Sequence, residues 1–291
     1  MFIELFNVIS PVLFLALAGY MWVRLGYDFP TDFVTRLNMN FGAPCLVFVG
    51  ILDLGQNLGS MSYFMLASAS AIAIMLALSA LFVFTAGLPT RGYIISLSSS
   101  NCGNMGIPLC LFAFGQPGMS LAIAYFAIGT LYQFTVALYI SHGNMNLVSL
   151  FRITFLWGIA AALFFILNNI DPPTWIMNTT ELLAGVTIPL MLLTLGASLA
   201  TLKVIKFKKI ISIGILKIAL GTGVGIATAS YFGLEGIERN VLIMQMSMPV
   251  AVFSYLLASK YNRNPDEVAS LIFTTTIITF LTVPLMLVFL F

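Results

Sequence analysis

Proline recurs at nearly the same offset in the two halves of this chain. Pro44 is answered by Pro189 145 residues later, and Pro108 by Pro249 141 residues later. In 291 residues that offset is half the length, so the sequence reads as two copies of one unit. All four prolines interrupt long apolar stretches. A proline inside a helix removes a backbone hydrogen bond and clashes with the preceding turn. In lipid such a break survives only where protein or a water-filled cavity satisfies the freed groups. Broken helices at matching places in two repeats point to a transporter binding site near the bilayer midplane, so the pattern predicts a membrane carrier.

The setting follows from composition: 60% of residues are hydrophobic and 8% charged, against about 25% charged in soluble domains. A crossing takes about 20 apolar residues, and ten candidates fit, at roughly 3–23, 31–52, 60–88, 92–114, 119–141, 150–169, 174–200, 207–232, 237–260 and 265–290. The first stretch reads as a true span. Glu4 is the only charge before Arg24, and no small-residue cleavage motif follows.

Five spans per repeat is an odd number, which inverts the second copy relative to the first. The expected fold is therefore an all-α integral membrane protein with residues 1–145 as the first five-helix repeat and 146–291 as the inverted second. The second span (NFGAPCLVF) pairs with the seventh (TIPLMLLTLGASL), and the fourth (NCGNMGIPLCLF) with the ninth (MQMSMPVAVFSYLL).

Charge sets orientation. Loops and helix ends after odd-numbered spans hold Arg24, Arg36, Arg91, Arg152, Lys203, Lys206, Lys208, Lys209, Lys217, Lys260 and Arg263, whereas those after even-numbered spans hold only Arg239. Basic residues favour the cytoplasmic side, which predicts a multi-pass protein with both termini extracytoplasmic. The net charge of +2 then concerns topology and gives no reason to expect nucleic acid.

Polar residues concentrate at the fourth span: Ser96, Ser98, Ser99, Ser100, Asn101, Cys102, Gly103, Asn104 and Gly106 precede Pro108. A close-packed kink without a ligand is one explanation, but the matching break in the ninth span favours a site. There Gln245, Ser247 and Ser254 surround Met246, Met248 and Pro249, which makes a greasier wall. Half-helices that begin at the two breaks would point unpaired N–H groups and partial positive charge at an anion. The fitting solute is a small organic anion, a carboxylate with an apolar body. Met105, Met246 and Met248 could adapt to such a body.

No Asp, Glu or His lies clearly inside a span, which disfavours a carboxylate proton relay. The membrane potential, worth about 2.3 kcal/mol per charge per 100 mV, could drive export instead. Lys217 is the exception among charges. It lies eight residues past Lys209, about 12 Å further along a helix. The expectation is that it snorkels to the headgroups; the sharper alternative is a cation that attracts the anion from the cytoplasmic side. Gly221 and Gly225 form a GxxxG spacing suited to close helix contact.

Other classes lack their residues. Cys45, Cys102 and Cys110 lie in apolar spans without CxxC or Cys/His spacing, so they read as packing residues, and no metal or cofactor is expected. His142, the one histidine, falls at a loop, and no catalytic set lies within the spans, so an enzyme is not expected. A channel would need charge rings or carbonyl filters, and neither is written here.

The string from Asn101 to Pro108, ending GIPL, together with the tail MPVAVFSYLLASKYNRNPDEVASLIF and Pro284, resembles the auxin efflux carrier family, which includes plant auxin exporters and bacterial carboxylate permeases. The resemblance implies a ten-helix fold with crossed helices 4 and 9, the architecture shared with bile-acid symporters. It implies a scaffold (helices 1, 2, 6, 7), a transport domain (helices 3–5, 8–10), an elevator movement and a homodimer through the scaffold. By motif match Asn101 is the substrate-facing asparagine, Pro108 and Pro249 are the crossover prolines, and Gln133 in LYQFTVALY is a polar support. The substrate-binding set is then Asn101, Asn104, Met105, Pro108, Gln133, Gln245, Met248, Pro249 and Ser254.

Three departures argue against auxin itself. Val250 to Phe253 replace an amide common after the ninth-span proline, Tyr63 to Phe84 hold no carboxylate, and the long cytoplasmic loop of plant exporters is missing. The compact form suggests a bacterial cell (inner) membrane. The alternative function is a sodium-coupled organic-anion symporter of the bile-acid type.

Overall fold

The computed structural model describes residues 2–54, 58–143, 153–202 and 207–290. Arg152, Lys203, Lys206 and the join at 145/146 lie outside them, as does the side chain of Glu4. The described residues are helical: α1 (Phe2–Arg24), α2 (Thr31–Leu37), α3 (Ala43–Leu54), α4 (Leu58–Thr85), α5 (Thr90–Ser98), α6 (Ile107–Tyr132), α7 (Leu138–His142), α8 (Thr154–Leu167), α9 (Thr174–Thr201), α10 (Phe207–Tyr231), α11 (Gly236–Met246), α12 (Val252–Lys260) and α13 (Pro265–Leu290). Among them no strand forms, only one isolated bridge.

Seven helical runs among the described residues are long and apolar enough to cross a membrane, and α8 is a shorter apolar helix. The protein is thus a multi-pass membrane protein. One of the seven, Cys102–His142, has 41 residues, about twice what a bilayer needs. Gly115 divides it with φ 67° and ψ −161°, a conformation open to glycine because it has no Cβ. The stretches 90–114 and 236–260 are not single helices, because each is interrupted in its middle.

The four recurring prolines act in different ways. Pro44 and Pro108 each follow a π-helical turn, Asn38–Gly42 and Cys102–Gly106. Proline supplies no N–H and crowds the carbonyl four residues back, and a widened turn accommodates both effects. Around Pro189 the α9 helix continues without a break. Only Pro249 lies within a true interruption, between α11 and α12.

Packing brings helices of the two halves of the chain together. α9 packs along α1 and α3, and α3 along α8, while α10 packs on α4, α11 and α13, and α6 on α3, α4 and α11. Glycine sets the closest approaches. A Cβ on Gly196 would sit 1.7 Å from the Ala16 carbonyl oxygen, and one on Gly221 would sit 2.2 Å from that of Met246. In lipid, helices associate mainly through such close packing, since the tails are as apolar as the side chains. Gly221 and Gly225 both lie against α11, so the GxxxG spacing serves contact within the chain.

Candidate functional site

The chain leaves the α5 helix at Ser99, which is extended (φ −100°, ψ 118°), and re-enters a helical path after Asn101. Before the break, Ser96 and Ser98 hydroxyls bond back to the carbonyls of Gly92 and Ile94 at 2.8 and 2.6 Å. Such back-bonding offers the backbone an alternative to the regular ladder. The second interruption runs from Ser247 to Ala251, whose backbone is extended (φ −64°, ψ 134°).

The two breaks meet. The Asn101 N–H donates to the Pro249 carbonyl at 2.7 Å, and the Ala251 N–H donates to that of Ser99 at 3.1 Å, which makes an antiparallel bridge at Ser100 and Val250. The Val250 N–H donates to Thr275 Oγ1 of α13 at 3.1 Å. Non-helical backbone at membrane depth needs partners from protein, and here each break supplies the other's.

Pro108 is not at this junction. It is the second residue of α6, beyond the π turn, so the first-half crossover falls at Ser99–Asn101. Lys217 does not snorkel. Its side chain is 0% exposed, and its Nζ donates to Ser100 Oγ at 3.1 Å and to the Met248 carbonyl. The face of α10 that carries Gly221 and Gly225 against α11 also carries Lys217, four residues earlier, and so turns it inward.

Beside the crossover lies a cavity of about 470 Å³, within the usual range for small-molecule sites. Ser100, Asn101, Asn104 and Gln133 form polar parts of its wall, while Phe126, Val252, Phe253 and Leu256 form apolar ones. Asn101 Nδ2 is buried without a hydrogen-bond partner, and the residue is 5% exposed. Residues of the first turns after both breaks, Cys102 to Asn104 and Val252 to Phe253, also line the cavity. N–H groups in a first helical turn have no intrahelical acceptor.

Of the residues expected from sequence, Asn101, Asn104 and Gln133 line this space, and Gln133 opens a π turn, Gln133–Ala137. Pro249 and Met248 act through their carbonyls in the crossover. Met105, Pro108, Gln245 and Ser254 are buried around it and do not line the cavity. Gln245 Oε1 and Ser254 Oγ lack partners.

Other wall residues were missed. Thr194, Ser198 and Thr201 of α9, and Thr31, Asp32, Thr35 and Arg36 of α2, also line the cavity. Their spacing of three and four residues puts each set on one helix face, a polar stripe visible in the sequence. Asp32 and Arg36 are exposed and bring charge to the wall. A larger recess of about 630 Å³ between α4 and α10 is lined by Ile74, Leu78, Val224 and Tyr231 among others, and does not include the crossover. Among the described residues no cluster of His, Cys, Asp or Glu could hold a metal ion.

A helical membrane protein whose interrupted helices meet beside a cavity has the build of a transporter, and sequence comparison agrees. The family profile described as a membrane transport protein matches residues 144–287. An uncharacterized transporter of Methanocaldococcus jannaschii is 28% identical over 207 residues, covering 67% of this chain and 66% of that protein. An uncharacterized transporter of Methanothermobacter thermautotrophicus is 25% identical, covering 96% of each. The chain is a membrane transport protein. These matches support membership of the auxin efflux carrier family, which the broken spans already resembled.

Proposed function

We propose that the chain carries a small organic anion, a carboxylate with an apolar body, out of the cell by an elevator-type alternating-access movement. One observation carries this reading: the joined breaks border a cavity lined by Asn101, Asn104 and Gln133, beside which the Asn101 amide nitrogen is buried without a hydrogen-bond partner. A carboxylate oxygen would accept from Nδ2 and from first-turn N–H groups, while its body rests on Phe126, Val252 and Phe253.

In this reading the chain makes ten crossings as two inverted five-helix repeats, with α5 to Gly115 and α11 to α12 each counted as one broken crossing. The group containing α1, α3, α8 and α9 is the scaffold, through which two copies pair; the group carrying both breaks moves. The packing of α9 along α1 and α3, and of α10 on α11 and α13, supports that division. The cavity borders Arg36, near the start of the membrane-length run Thr31–Asp53, and Thr201 at the end of α9. Under the positive-inside rule these ends are cytoplasmic, so this is an inward-facing carrier in the cell membrane.

Counterflow in proteoliposomes tests the proposal. Saturable, stereoselective exchange of a carboxylate is the expected result, and sodium dependence would make the protein a bile-acid-type symporter instead. Flux that never saturates would indicate a channel, and absence of exchange across a broad panel of acids would overturn the carrier.

A further inference from the structure

Lys217 is a buried amine whose partners are both neutral oxygens. One is the Ser100 hydroxyl, at 3.1 Å, and the other is the Met248 carbonyl. Each belongs to a different break, so a single side chain ties the halves of the crossover together. An ammonium withdrawn from water without a counter-charge costs several kcal/mol. Among the described residues its hydrogen-bond partners include no carboxylate. Ser100 is also part of the cavity wall, next to Asn101 with its unpartnered Nδ2. The counter-charge that Lys217 lacks and the acceptor that Asn101 lacks would therefore occupy the same place.

We propose that Lys217 is a tethered counter-cation: it fills the position where a free cation could bridge the oxygens freed by the two breaks, and it balances the carboxylate that enters beside Ser100 and Asn101. This rests on the anion-carrier function and adds the group that sets its charge balance. α10 packs on α11 and α13, in the group that carries both breaks, so the ammonium travels with the cavity. A monocarboxylate and Lys217 then cross together with no net charge. The empty carrier returns with its positive charge, and the membrane potential acts on that return. Exchange of anion for anion, which omits the empty return, is insensitive to voltage, whereas net efflux responds to it.

The test uses the full chain in proteoliposomes with the potential set by a potassium gradient and valinomycin, and with lactate and indole-3-acetate as monocarboxylate probes. Wild-type exchange is expected to run equally fast with and without an imposed potential, and Lys217→Arg is expected to behave the same way. In Lys217→Met, exchange becomes voltage-sensitive and anion affinity falls about tenfold, as expected for loss of a nearby complementary charge. A second arm needs no anion. Wild type should melt at the same temperature in sodium and choline chloride, while Lys217→Ala, destabilised in choline, should recover in methylammonium chloride. Wild-type exchange that follows the potential, Lys217→Met indistinguishable from wild type, sodium-specific stabilisation of wild type, or no methylammonium recovery would each overturn the proposal. Absence of flux for both acids with methylammonium recovery intact would instead overturn the carrier function beneath it.

Discussion

At the first break the chain leaves its helix at Ser99 and re-enters after Asn101; at the second it leaves after Met246 and re-enters after Ala251. Each donates one N–H to the other and accepts one in return. The side chains at these junctions differ. The first presents Ser100, Asn101 and Asn104 to the cavity, and the second presents Ala251, Val252 and Phe253. Ser247, the hydroxyl nearest the second break, turns away to the Ile243 carbonyl at 2.7 Å and the Thr222 hydroxyl at 2.8 Å. Backbone closure is thus shared between the two breaks, while the side chains they bring to the cavity wall differ: polar at the first and apolar at the second.

Proline substitutions separate these roles. Asn101 has φ −76° and Ala251 φ −64°, so the ring fits at both and mainly the N–H is lost. Asn101→Pro removes a bridge hydrogen bond and the cavity amide together. It should lower stability by about 1–3 kcal/mol and abolish carboxylate-dependent stabilisation, both readable by thermal melting. Ala251→Pro removes only the bond to Ser99 and should cost about 1 kcal/mol while leaving carboxylate affinity nearly unchanged. Equal loss of affinity in the two variants would break the division of labour.

Smaller effects sharpen it. Gln133→Leu takes one polar group from the wall and should weaken carboxylate affinity by roughly fivefold, the size of one net hydrogen bond. Phe253 packs against Phe134 in a tilted arrangement with centroids 5.0 Å apart. Phe253→Leu should change affinity for lactate little and weaken indole-3-acetate by about twofold to fivefold, as expected for loss of an aromatic contact. A competition assay with the two acids reads that shift.

The breaks were legible because bilayers tolerate few ways of interrupting a helix, and the serine-rich run before Pro108 and the Met-Pro string at Pro249 both marked one. The exact first break was not. Pro108 looked like the interruption, but the π turn Cys102–Gly106 absorbs its missing N–H, and the chain opens seven residues earlier at Asn101. Pro44 and Pro189 likewise sit in helices that stay continuous around them.

Depth along α10 could be read from residue count, whereas the direction of Lys217 depended on rotation about the helix axis. That rotation was recoverable from Gly221 and Gly225, whose small face must meet another helix and which share a side with Lys217. The cavity's α2 and α9 walls also left a trace in the spacing of Thr194, Ser198 and Thr201, but their polarity was spread too thinly to stand out beside the fourth span.

Ligand-dependent melting of the purified chain, wild type against Asn101→Ala, tests the central claim most directly. Lactate, malate, malonate and indole-3-acetate would each be titrated with and without sodium. The account expects at least one carboxylate to raise the wild-type melting temperature in a saturable way without sodium, and Asn101→Ala, melting near wild type on its own, to lose that response. A carboxylate response that survives unchanged in Asn101→Ala would place anion binding away from the crossover and contradict the account.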